Sequence, residues 1–367
     1  PLECYLCSDS GHVQLGHITN EDERYNLYDY SYTSANSDFS RQHWIDYAKE
    51  ISSKVELNSL IKTKIIEIGS NDGFLSLQFK NMGFRVLGVD PSHHMVELAK
   101  TNGIDTIPEV FSNTTSNKVK KLSGEVDLVC ANNVLNHSNE PLDFVRGVNN
   151  ILKTDGVFVF ELPYWLNTIK SGRFDQIYHE HISYFTVKSS YELLRRAGFE
   201  IINIDVVDYH GGSLRVYSRK VSNECLTNEN KPDVVAEMIR KEEEAGLFDL
   251  ETYQKYMLEI SRKRNNLLKK IYEIKTEGKP IVAVGAAAKG NTFLKFYNLD
   301  KSILDYVTDS SPHKQGKYTP VTRIPIVSDD IFSDYDEVFA LILSWNISSK
   351  LKDQLLSINK NVKFLSL

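Results

Sequence analysis

Short apolar segments alternate with helix-length segments along most of this chain. The apolar segments of the first half are residues 64–70, 84–90, 126–132 and 156–162. Between the last two, residues 141–153 have the apolar spacing of an amphipathic helix. Strands that alternate with helices predict a parallel sheet covered by helices on both faces. Residues 200–220 predict two further strands around a His-Gly-Gly turn.

The pattern changes at two places, and these changes predict the domain boundaries. Residues 1–45 are polar and rich in tyrosine, and residues 231–277 form a long, charged segment with helical spacing. After Gly278, apolar segments alternate with helices again. We therefore predict an α/β protein with four regions: an N-terminal module at 1–45, a central Rossmann-like domain at 46–230, a helical connector at 231–277 and a second Rossmann-like domain at 278–367.

Composition narrows the class of protein without indicating a function. The 367 residues are 41% hydrophobic and 25% charged, ordinary values for a globular protein, and the net charge of −6 gives no sign of a nucleic-acid-binding surface. No apolar run approaches the ~20 residues that span a bilayer, so we expect no membrane association. Four cysteines and a start unlike a signal peptide favour the cytoplasm. The sequence does not indicate the oligomeric state.

The first apolar segment runs into a glycine turn, EIGSNDG at 67–73, which favours S-adenosylmethionine (SAM) over a dinucleotide. A pyrophosphate cofactor favours Gly-x-Gly-x-x-Gly at the N-terminus of a helix. Here Ser70, Asn71 and Asp72 place acceptors and a negative charge where a pyrophosphate would lie. Asp90, which ends the next apolar segment, is placed to accept hydrogen bonds from ribose hydroxyls. The cofactor-binding candidates are Glu67, Gly69, Asn71, Asp72, Gly73, Asp90, Pro91, Ser92, Asn132 and Asn133.

The segment YHEHISYF, residues 178–185, concentrates ionisable groups in a predicted loop. Its His-x-His spacing is compatible with a metal site, with a loop held by its own side chains, or with acid–base catalysis. A metal needs three or four ligands, and no cysteine is close in sequence. An imidazole titrates near neutral pH, and a phenol can donate a hydrogen bond to an oxyanion. We therefore favour acid–base chemistry by an imidazole of His179 or His181 with a carboxylate and a phenol, and His137 follows an earlier strand end, where open α/β sheets bind ligands.

Two later glycine turns are candidates for substrate binding. HGGSLR at 210–215 frees backbone amides and places Arg215 where it could face an anion, although a plain hairpin turn explains it equally well. GAAAKGNT at 285–292 opens a helix after a strand, and Lys289 adds a positive charge suited to a diphosphate. The substrate-binding candidates are His210, Gly211, Gly212, Ser213, Arg215, Ala288, Lys289, Asn291, Thr292, Lys314, Gln315 and Tyr318.

Together these motifs resemble the SAM-dependent sugar C-methyltransferases that make branched deoxysugars. The resemblance extends over nearly the whole chain, and it includes EIGSNDG (67–73), NNVLNH (132–137), FDQIYHEHISYF (174–185), HGGSLRVY (210–217) and GAAAKGNT (285–292). It implies a central SAM-dependent methyltransferase domain and a C-terminal Rossmann-like domain that helps to hold the substrate. That substrate would be a nucleotide-linked 4-keto-6-deoxysugar, usually on thymidine diphosphate.

The resemblance also implies roles for single residues. His181 corresponds to the base that removes the proton beside the ketone, and Tyr178 and Glu180 assist it. His137 and Tyr32 complete the pocket.

The N-terminal region departs from the family. The family has a zinc module with two Cys-x-x-Cys pairs, whereas only Cys4 and Cys7 stand in this region. A four-sulfur site cannot be built from two cysteines, and His12 and His17 are the other ligands close in sequence. We therefore predict no catalytic metal, and zinc at Cys4 and Cys7 is doubtful.

Four functions stay open on the sequence, one of them a catalytically inactive sugar-nucleotide sensor. The leading hypothesis is methylation of the keto sugar at C3 rather than C5, through an enolate that attacks the SAM methyl group. A sugar O-methyltransferase would need the SAM domain and a base, but no enolate. An NAD-linked sugar-nucleotide dehydrogenase or epimerase would instead use the turn at 285–290.

Overall fold

The computed structural model describes residues 2–21, 23–27, 33–35, 37–55, 63–221 and 231–365. The chain divides into two compact units. Residues 1–168 and 179–248 form the first unit, and residues 169–178 and 249–367 form the second. This division differs from the predicted regions, because residues 1–45 belong to the first unit and the predicted connector 231–277 is shared between the two.

A seven-stranded sheet forms the centre of the first unit. The strands of this unit are β1 (Cys4–Leu6), β2 (Val13–Leu15), β3 (Lys64–Ile68), β4 (Arg85–Val89), β5 (Thr106–Ile107), β6 (Val126–Asn132), β7 (Leu152–Pro163), β8 (Ser183–Tyr184), β9 (Phe199–Val207) and β10 (Ser213–Lys220). The order across the large sheet is β5-β4-β3-β6-β7-β10-β9, with β3 to β7 parallel and β10 antiparallel to both of its neighbours. The predicted α/β fold is confirmed.

The strand order locates the ligand-binding edge of this sheet. From β3 the chain first builds outward through β4 and β5, and it then returns to the other side of β3 with β6. Open α/β sheets bind ligands at such a reversal, outside the carboxyl ends of the strands. The turn after β3 and the loop after β6 meet this condition, and both carry predicted site residues.

Eight helices are described for the first unit or begin in it. They are α1 (Asp38–Lys54), α2 (Phe74–Asn81), α3 (His93–Thr101), α4 (Asn113–Ser123), α5 (Pro141–Ile151), α6 (Trp165–Ser171), α7 (Val187–Arg196) and α8 (Asp233–Glu244). Trp44, Tyr47 and Ile51 recur at helical spacing along α1 and are buried against apolar side chains of β3 and β6. No helix of the described residues is long and apolar enough to span a bilayer.

The N-terminal hairpin lies on the stretch that contains the candidate catalytic residues. β1 pairs with β2, and β2 pairs with β8 in a second, three-stranded sheet. Val13 faces Tyr184 in this sheet, and His12 Nε2 lies 3.2 Å from Ser183 Oγ. The hairpin therefore helps to hold the segment around residues 181–185 instead of forming a module of its own.

The second unit is built on a five-stranded parallel sheet. Its strands are β11 (Ile281–Val284), β12 (Tyr306–Thr308), β13 (Ile326–Val327), β14 (Val338–Ile342) and β15 (Val362–Leu365), in the order β13-β12-β11-β14-β15. Its helices are α9 (Leu250–Thr276), α10 (Ala288–Tyr297) and α11 (Ser348–Ile358). All four residues of β11 are buried, as the run of apolar residues predicts for a central parallel strand.

Candidate active site

The turn after β3 has a backbone that only small or specialised residues adopt. Gly69 and Gly73 have φ values of 69° and 75°, and Asn71 has a φ of 51°. A Cβ on Gly69 would lie 2.1 Å from Val134 Cγ2 in the loop after β6. The turn is thus packed closely against that loop, and a side chain at Gly69 would push the two apart.

Asp90, at the end of β4, holds this turn in place. Its Oδ2 accepts a hydrogen bond from the Asn71 N–H at 2.8 Å, and its Oδ1 accepts one from the Ser92 N–H at 2.9 Å. Ser92 in turn caps the N-terminus of α3, and Pro91 is half-buried between them. Asp90 is therefore bound to its own backbone, and the lone pairs that remain on its oxygens are the ones able to meet ribose hydroxyls.

Three buried acids lie in or beside this turn. Glu67, Asp72 and Asp90 are all buried, and Ser76 Oγ donates to Glu67 at 2.5 Å while Ser34 Oγ donates to Asp72 at 2.5 Å. Burial raises the pKa of Glu67 to about 8 and that of Asp90 to about 6. A cationic ligand would stabilise the ionised carboxylates, whereas a pyrophosphate would be repelled by them. The turn therefore suits the sulfonium and ammonium groups of SAM.

Buried polar atoms near the same edge have no hydrogen-bond partner among the described residues. They include Ser70 Oγ and both amide atoms of Asn132. Asn132 ends β6, and the N–H of the next residue, Asn133, donates to the Glu161 carbonyl at 2.7 Å. Unpartnered buried polar groups are rare, and a bound ligand would satisfy them. These residues fit the predicted SAM site.

The structure brings together two catalytic candidates that are far apart in sequence. His137 ends a 3-10 turn, Leu135–His137, after β6, and its ring centroid lies 5.1 Å from that of His181. The Ile182 N–H donates to the Asn136 carbonyl at 2.9 Å, which fixes the two segments side by side. Both imidazoles are buried, and His137 Nε2 has no hydrogen-bond partner in the described part of the chain.

His137 is held in the neutral form. Burial, with the positive charge of Arg24, lowers its pKa to about 3. A neutral imidazole can accept a proton or orient a neighbouring ring, so the pair has the composition that proton transfer requires.

The other members of the predicted catalytic set are placed differently. Glu180 is half-buried; burial raises its pKa, and the charge of Arg24 opposes this rise. His179 is exposed. Tyr178 is half-buried and belongs to the part of the chain assigned to the second unit. Tyr32 lies outside the described residues.

Two residues that the sequence did not single out lie close to this pair. The Arg24 guanidinium donates to the His137 carbonyl at 3.0 Å and to Asn139 Oδ1 at 2.6 Å. Burial raises the pKa of the Tyr25 phenol, and charges on Arg24, Glu180 and Asp90 also act on it. Both residues come from the polar stretch 1–45, which lacks periodicity, so only contacts across the fold reveal them.

The predicted turn at 210–213 connects β9 and β10. His210 has a φ of 51°, and a Cβ on Gly212 would lie 2.2 Å from Asn167 Nδ2. Gly211 is exposed, and Ser213 is buried with its Oγ donating to the Tyr209 carbonyl at 2.9 Å. The turn geometry therefore explains why both glycines are there.

Arg215 is not placed to bind a substrate anion, which corrects the prediction. The residue is 2% exposed, and its guanidinium contacts Glu161 at 2.8 Å and Glu50 at 2.7 Å. Glu161 also contacts His43 Nε2 at 2.8 Å. The charge of Arg215 is paired within this buried network, because β10 pairs with β7 in a register that sets Arg215 opposite Glu161.

The turn after β11 in the second unit repeats the design of the turn after β3. Gly285 has a φ of 98°, and a Cβ on it would lie 2.1 Å from Ser344 Oγ. Asp309 follows β12; its Oδ2 accepts from the Ala286 N–H at 2.9 Å and its Oδ1 from the Ser311 N–H at 2.9 Å. Lys314 donates to Asp309 Oδ2 at 3.1 Å, and Gln315 donates to the Asp309 carbonyl at 2.9 Å.

Lys289 lies at the start of α10 in this turn. Burial lowers its pKa to about 8, and the charge of Asp175 opposes the shift. Its ammonium lies 5.2 Å from the ring centroid of Trp345, and the Arg173 guanidinium lies 3.2 Å from the same centroid. Trp345 Nε1 donates to Asp175 at 2.5 Å. Lys289 was predicted as a substrate-binding residue. The sequence did not single out the residues around it, which are Arg173, Asp175 and Trp345.

The remaining substrate candidates vary in exposure. Asn291 and Thr292 are half-buried on α10, Ala288 is exposed, and Tyr318 is 60% exposed.

The cysteines and histidines of the N-terminal hairpin do not form a described metal cluster. Cys4 and Cys7 are exposed and unpaired. Over the described ranges, no three His, Cys, Asp or Glu side chains are grouped to hold a metal ion.

Two methyltransferase family models together match most of the chain. A family model described as "C-methyltransferase C-terminal domain" matches residues 208–366, and one described as "Methyltransferase domain" matches residues 40–204. The chain is 28% identical over 353 residues to the C-methyltransferase NovU of Streptomyces niveus, an alignment that covers 96% of this chain and 82% of that protein. SAM is therefore the cofactor. The matches are to methyltransferases, and they do not support the alternative of an NAD-linked dehydrogenase.

Other relatives match only part of the chain. A ubiquinone biosynthesis O-methyltransferase of Haemophilus ducreyi is 25% identical over 138 residues, which cover 35% of this chain and 57% of that protein. A magnesium protoporphyrin IX methyltransferase of Synechocystis, solved with bound SAM, superposes with a TM-score of 0.38 at 15% identity, over 50% of this chain and 82% of that structure.

Proposed function

We propose that this chain, which matches a C-methyltransferase model and a methyltransferase model, methylates the carbon beside the ketone of a nucleotide-linked 4-keto-6-deoxysugar, at C3. The observation that carries this proposal is the buried His137–His181 pair in the same unit as the acidic SAM turn. A C-methyltransferase must remove a proton from carbon, and we assign this step to His181, beside the neutral His137.

The chemistry assigns a step to each group. SAM, when bound, supplies the methyl group. His181 removes the proton from C3, and the electron pair moves onto the ketone oxygen as an enolate. His137, which stays neutral, orients the His181 ring. The enolate carbon would then take the methyl group in line as its bond to the SAM sulfur breaks and the neutral thioether leaves, with Tyr178 and Glu180 assisting; a role for Tyr32 stays a prediction from the resemblance.

The second unit would hold the nucleotide. Lys289 and Arg173 provide two cations for the single carboxylate of Asp175, so the cluster has a net positive charge that suits a diphosphate. The backbone turn at Gly285 supports this, since small residues allow a phosphate to approach a helix N-terminus. Thymidine diphosphate as the carrier and a cytoplasmic location stay predictions from the sequence.

Hydrogen exchange at C3 separates this function from O-methylation. We expect the enzyme to exchange the C3 proton of a thymidine diphosphate 4-keto-6-deoxysugar for deuterium in heavy water without SAM. His181→Ala should slow this exchange by at least ~100-fold, the usual contribution of a general base. His179→Ala, at the exposed neighbour, is the matched control and should exchange normally.

Two results would contradict the proposal. One is a wild-type enzyme that transfers methyl groups to a sugar hydroxyl without any exchange at carbon. The other is a His181→Ala enzyme that keeps the wild-type exchange rate and SAM affinity.

A further inference from the structure

Arg24 fastens the N-terminal segment to the loop that carries His137. Its side chain is 6% exposed, and its two terminal nitrogens donate to the His137 carbonyl and to Asn139 Oδ1. Asn139 is held from the same segment, because its N–H donates to Glu21 and its Nδ2 donates to the Thr19 carbonyl. These four hydrogen bonds hold the loop at His137 and Asn139, and one of them is made to the carbonyl of His137 itself.

The same guanidinium is a buried positive charge among the groups of the proposed reaction. The charge of Arg24 acts on Tyr25, His137 and Glu180, and Glu21 lies 3.7 Å from its guanidinium. Two further titratable groups lie behind these: His181 contacts His137, and the charge of Asp90 acts on Tyr25. A nearby cation disfavours protonation of an imidazole and favours ionisation of a carboxyl group. Arg24 thus acts in the direction of a neutral His137 and an ionised Glu180, the protonation states that proton abstraction requires.

The contacts of Arg24 go beyond what its neighbours need for packing. Glu21 is its partner at 3.7 Å, and this ion pair has no better geometry than an ordinary surface pair. Arg24 Nε is buried and has no hydrogen-bond partner among the described residues. Burying an arginine costs free energy unless hydrogen bonds satisfy it, and the bonds from its two terminal nitrogens to the loop around His137 do so.

We propose that Arg24 is a positioning residue for methyl transfer, which fixes the His137 main chain beside His181. The proposal rests on the proposed function for the role of His181. It adds a residue from the polar N-terminal stretch to the machinery, through hydrogen bonds rather than through contact with the substrate.

The first test measures the His137 imidazole directly and needs no substrate. In protein with labelled histidine, nuclear magnetic resonance follows each imidazole against pH, and His137→Gln assigns the resonance. We expect the His137 pKa to rise in Arg24→Gln, because the cation that opposes protonation is gone. In Arg24→Lys, which keeps a charge, the rise should be smaller. Arg240→Gln, at an exposed ion pair on α8, is the control and should cause no change.

The second test uses turnover. We expect Arg24→Gln to lower kcat on the order of 100-fold, the effect of a misplaced catalytic group, with SAM affinity by calorimetry unchanged. Arg24→Lys should recover part of kcat.

The outcomes separate the two ideas. An unchanged His137 titration in Arg24→Gln overturns the role of Arg24, whether or not the enzyme turns over a keto sugar. Equal losses of kcat and SAM affinity in both variants, with lowered thermal stability, also overturn it and leave only a structural role. If wild-type enzyme shows no exchange at C3, the proposed function fails while the titration still decides the effect of Arg24 on His137.

Discussion

The first turns of the two α/β units share a backbone design and carry opposite charge. In each, a glycine with positive φ follows the first strand, and an aspartate after the neighbouring strand accepts hydrogen bonds from two backbone N–H groups. Around Asp90 the other groups are the buried acids Glu67 and Asp72. Around Asp309 they are the cation Lys314 and the acid Asp329, and the cation Lys289 lies in the same turn.

The difference shows where ligand choice resides. The aspartate and the glycine build the turn in both units, so neither identifies the ligand. The side chains added to the turn decide its charge: acids suit a cationic cofactor, and lysines suit a phosphate group. A strand-turn-helix motif read without its flanking charges would assign both turns to the same class of ligand.

The sharpest test of this comparison replaces the two aspartates in parallel. Asp90→Asn and Asp309→Asn each set an amide donor against one of the two backbone N–H groups. We expect Asp90→Asn to weaken SAM binding by ~10- to 100-fold, since hydrogen bonds to a charged group contribute about 1.5–3 kcal/mol. Asp309→Asn should leave SAM affinity unchanged. Calorimetry with SAM measures both, and equal losses would show that the turns are not specialised.

The two glycines test whether the turns are equally tight. Alanine at Gly69 or Gly285 meets both a positive φ and an atom 2.1 Å away, whereas alanine at Gly278 meets a φ of 72° and nothing within 4 Å. We expect Gly278→Ala to cost roughly 1–2 kcal/mol of folding free energy from its backbone alone, and the other two to cost ~1–3 kcal/mol more from overpacking.

Hydrogen–deuterium exchange locates these losses. Gly69→Ala should loosen peptides of the first unit, and Gly285→Ala should loosen those of the second. Val134→Ala should recover part of the stability of Gly69→Ala, because it removes the methyl group that the new Cβ meets. A Gly278→Ala variant as unstable as the other two would remove the packing argument.

Sequence reasoning found the regular parts of this molecule because they repeat locally. The apolar runs at 64–70 and 126–132 became β3 and β6, and the helix predicted at 141–153 became α5 at Pro141–Ile151. β5 has two residues, too few to show a period, and β1 and β2 have three each. The pairing of β2 with β8 joins segments about 170 residues apart, which no local pattern contains.

The candidate site divides in the same way. The glycines of the SAM turn and two of its three acids, Glu67 and Asp72, lie within seven consecutive residues, so their spacing could be interpreted directly. The role of Arg215 could not be predicted in this way, because its ion-pair partner Glu161 lies opposite it on another strand. Arg24 was missed for the same reason, since its hydrogen-bond partners His137 and Asn139 are more than 110 residues away.

The smallest expected effect is a pair of opposite pH dependences. Asp90 has a pKa of about 6 without ligand, and SAM favours its ionised form, so binding releases a proton. SAM affinity should therefore rise severalfold as the pH increases from 5 to 7. Lys289 has a pKa of about 8, and a diphosphate favours its protonated form, so binding takes up a proton. Affinity for the nucleotide sugar should fall as the pH increases from 8 to 9.5.

Calorimetry in buffers of different ionisation enthalpy counts these protons and gives their sign. Asp90→Asn should remove the release on SAM binding, and Lys289→Arg, which stays charged, should remove the uptake on nucleotide binding while retaining affinity. Proton release at both sites would mean that the second turn does not meet its ligand through Lys289. Because the two turns share their backbone design, opposite signs would trace the choice of ligand to the side chains alone.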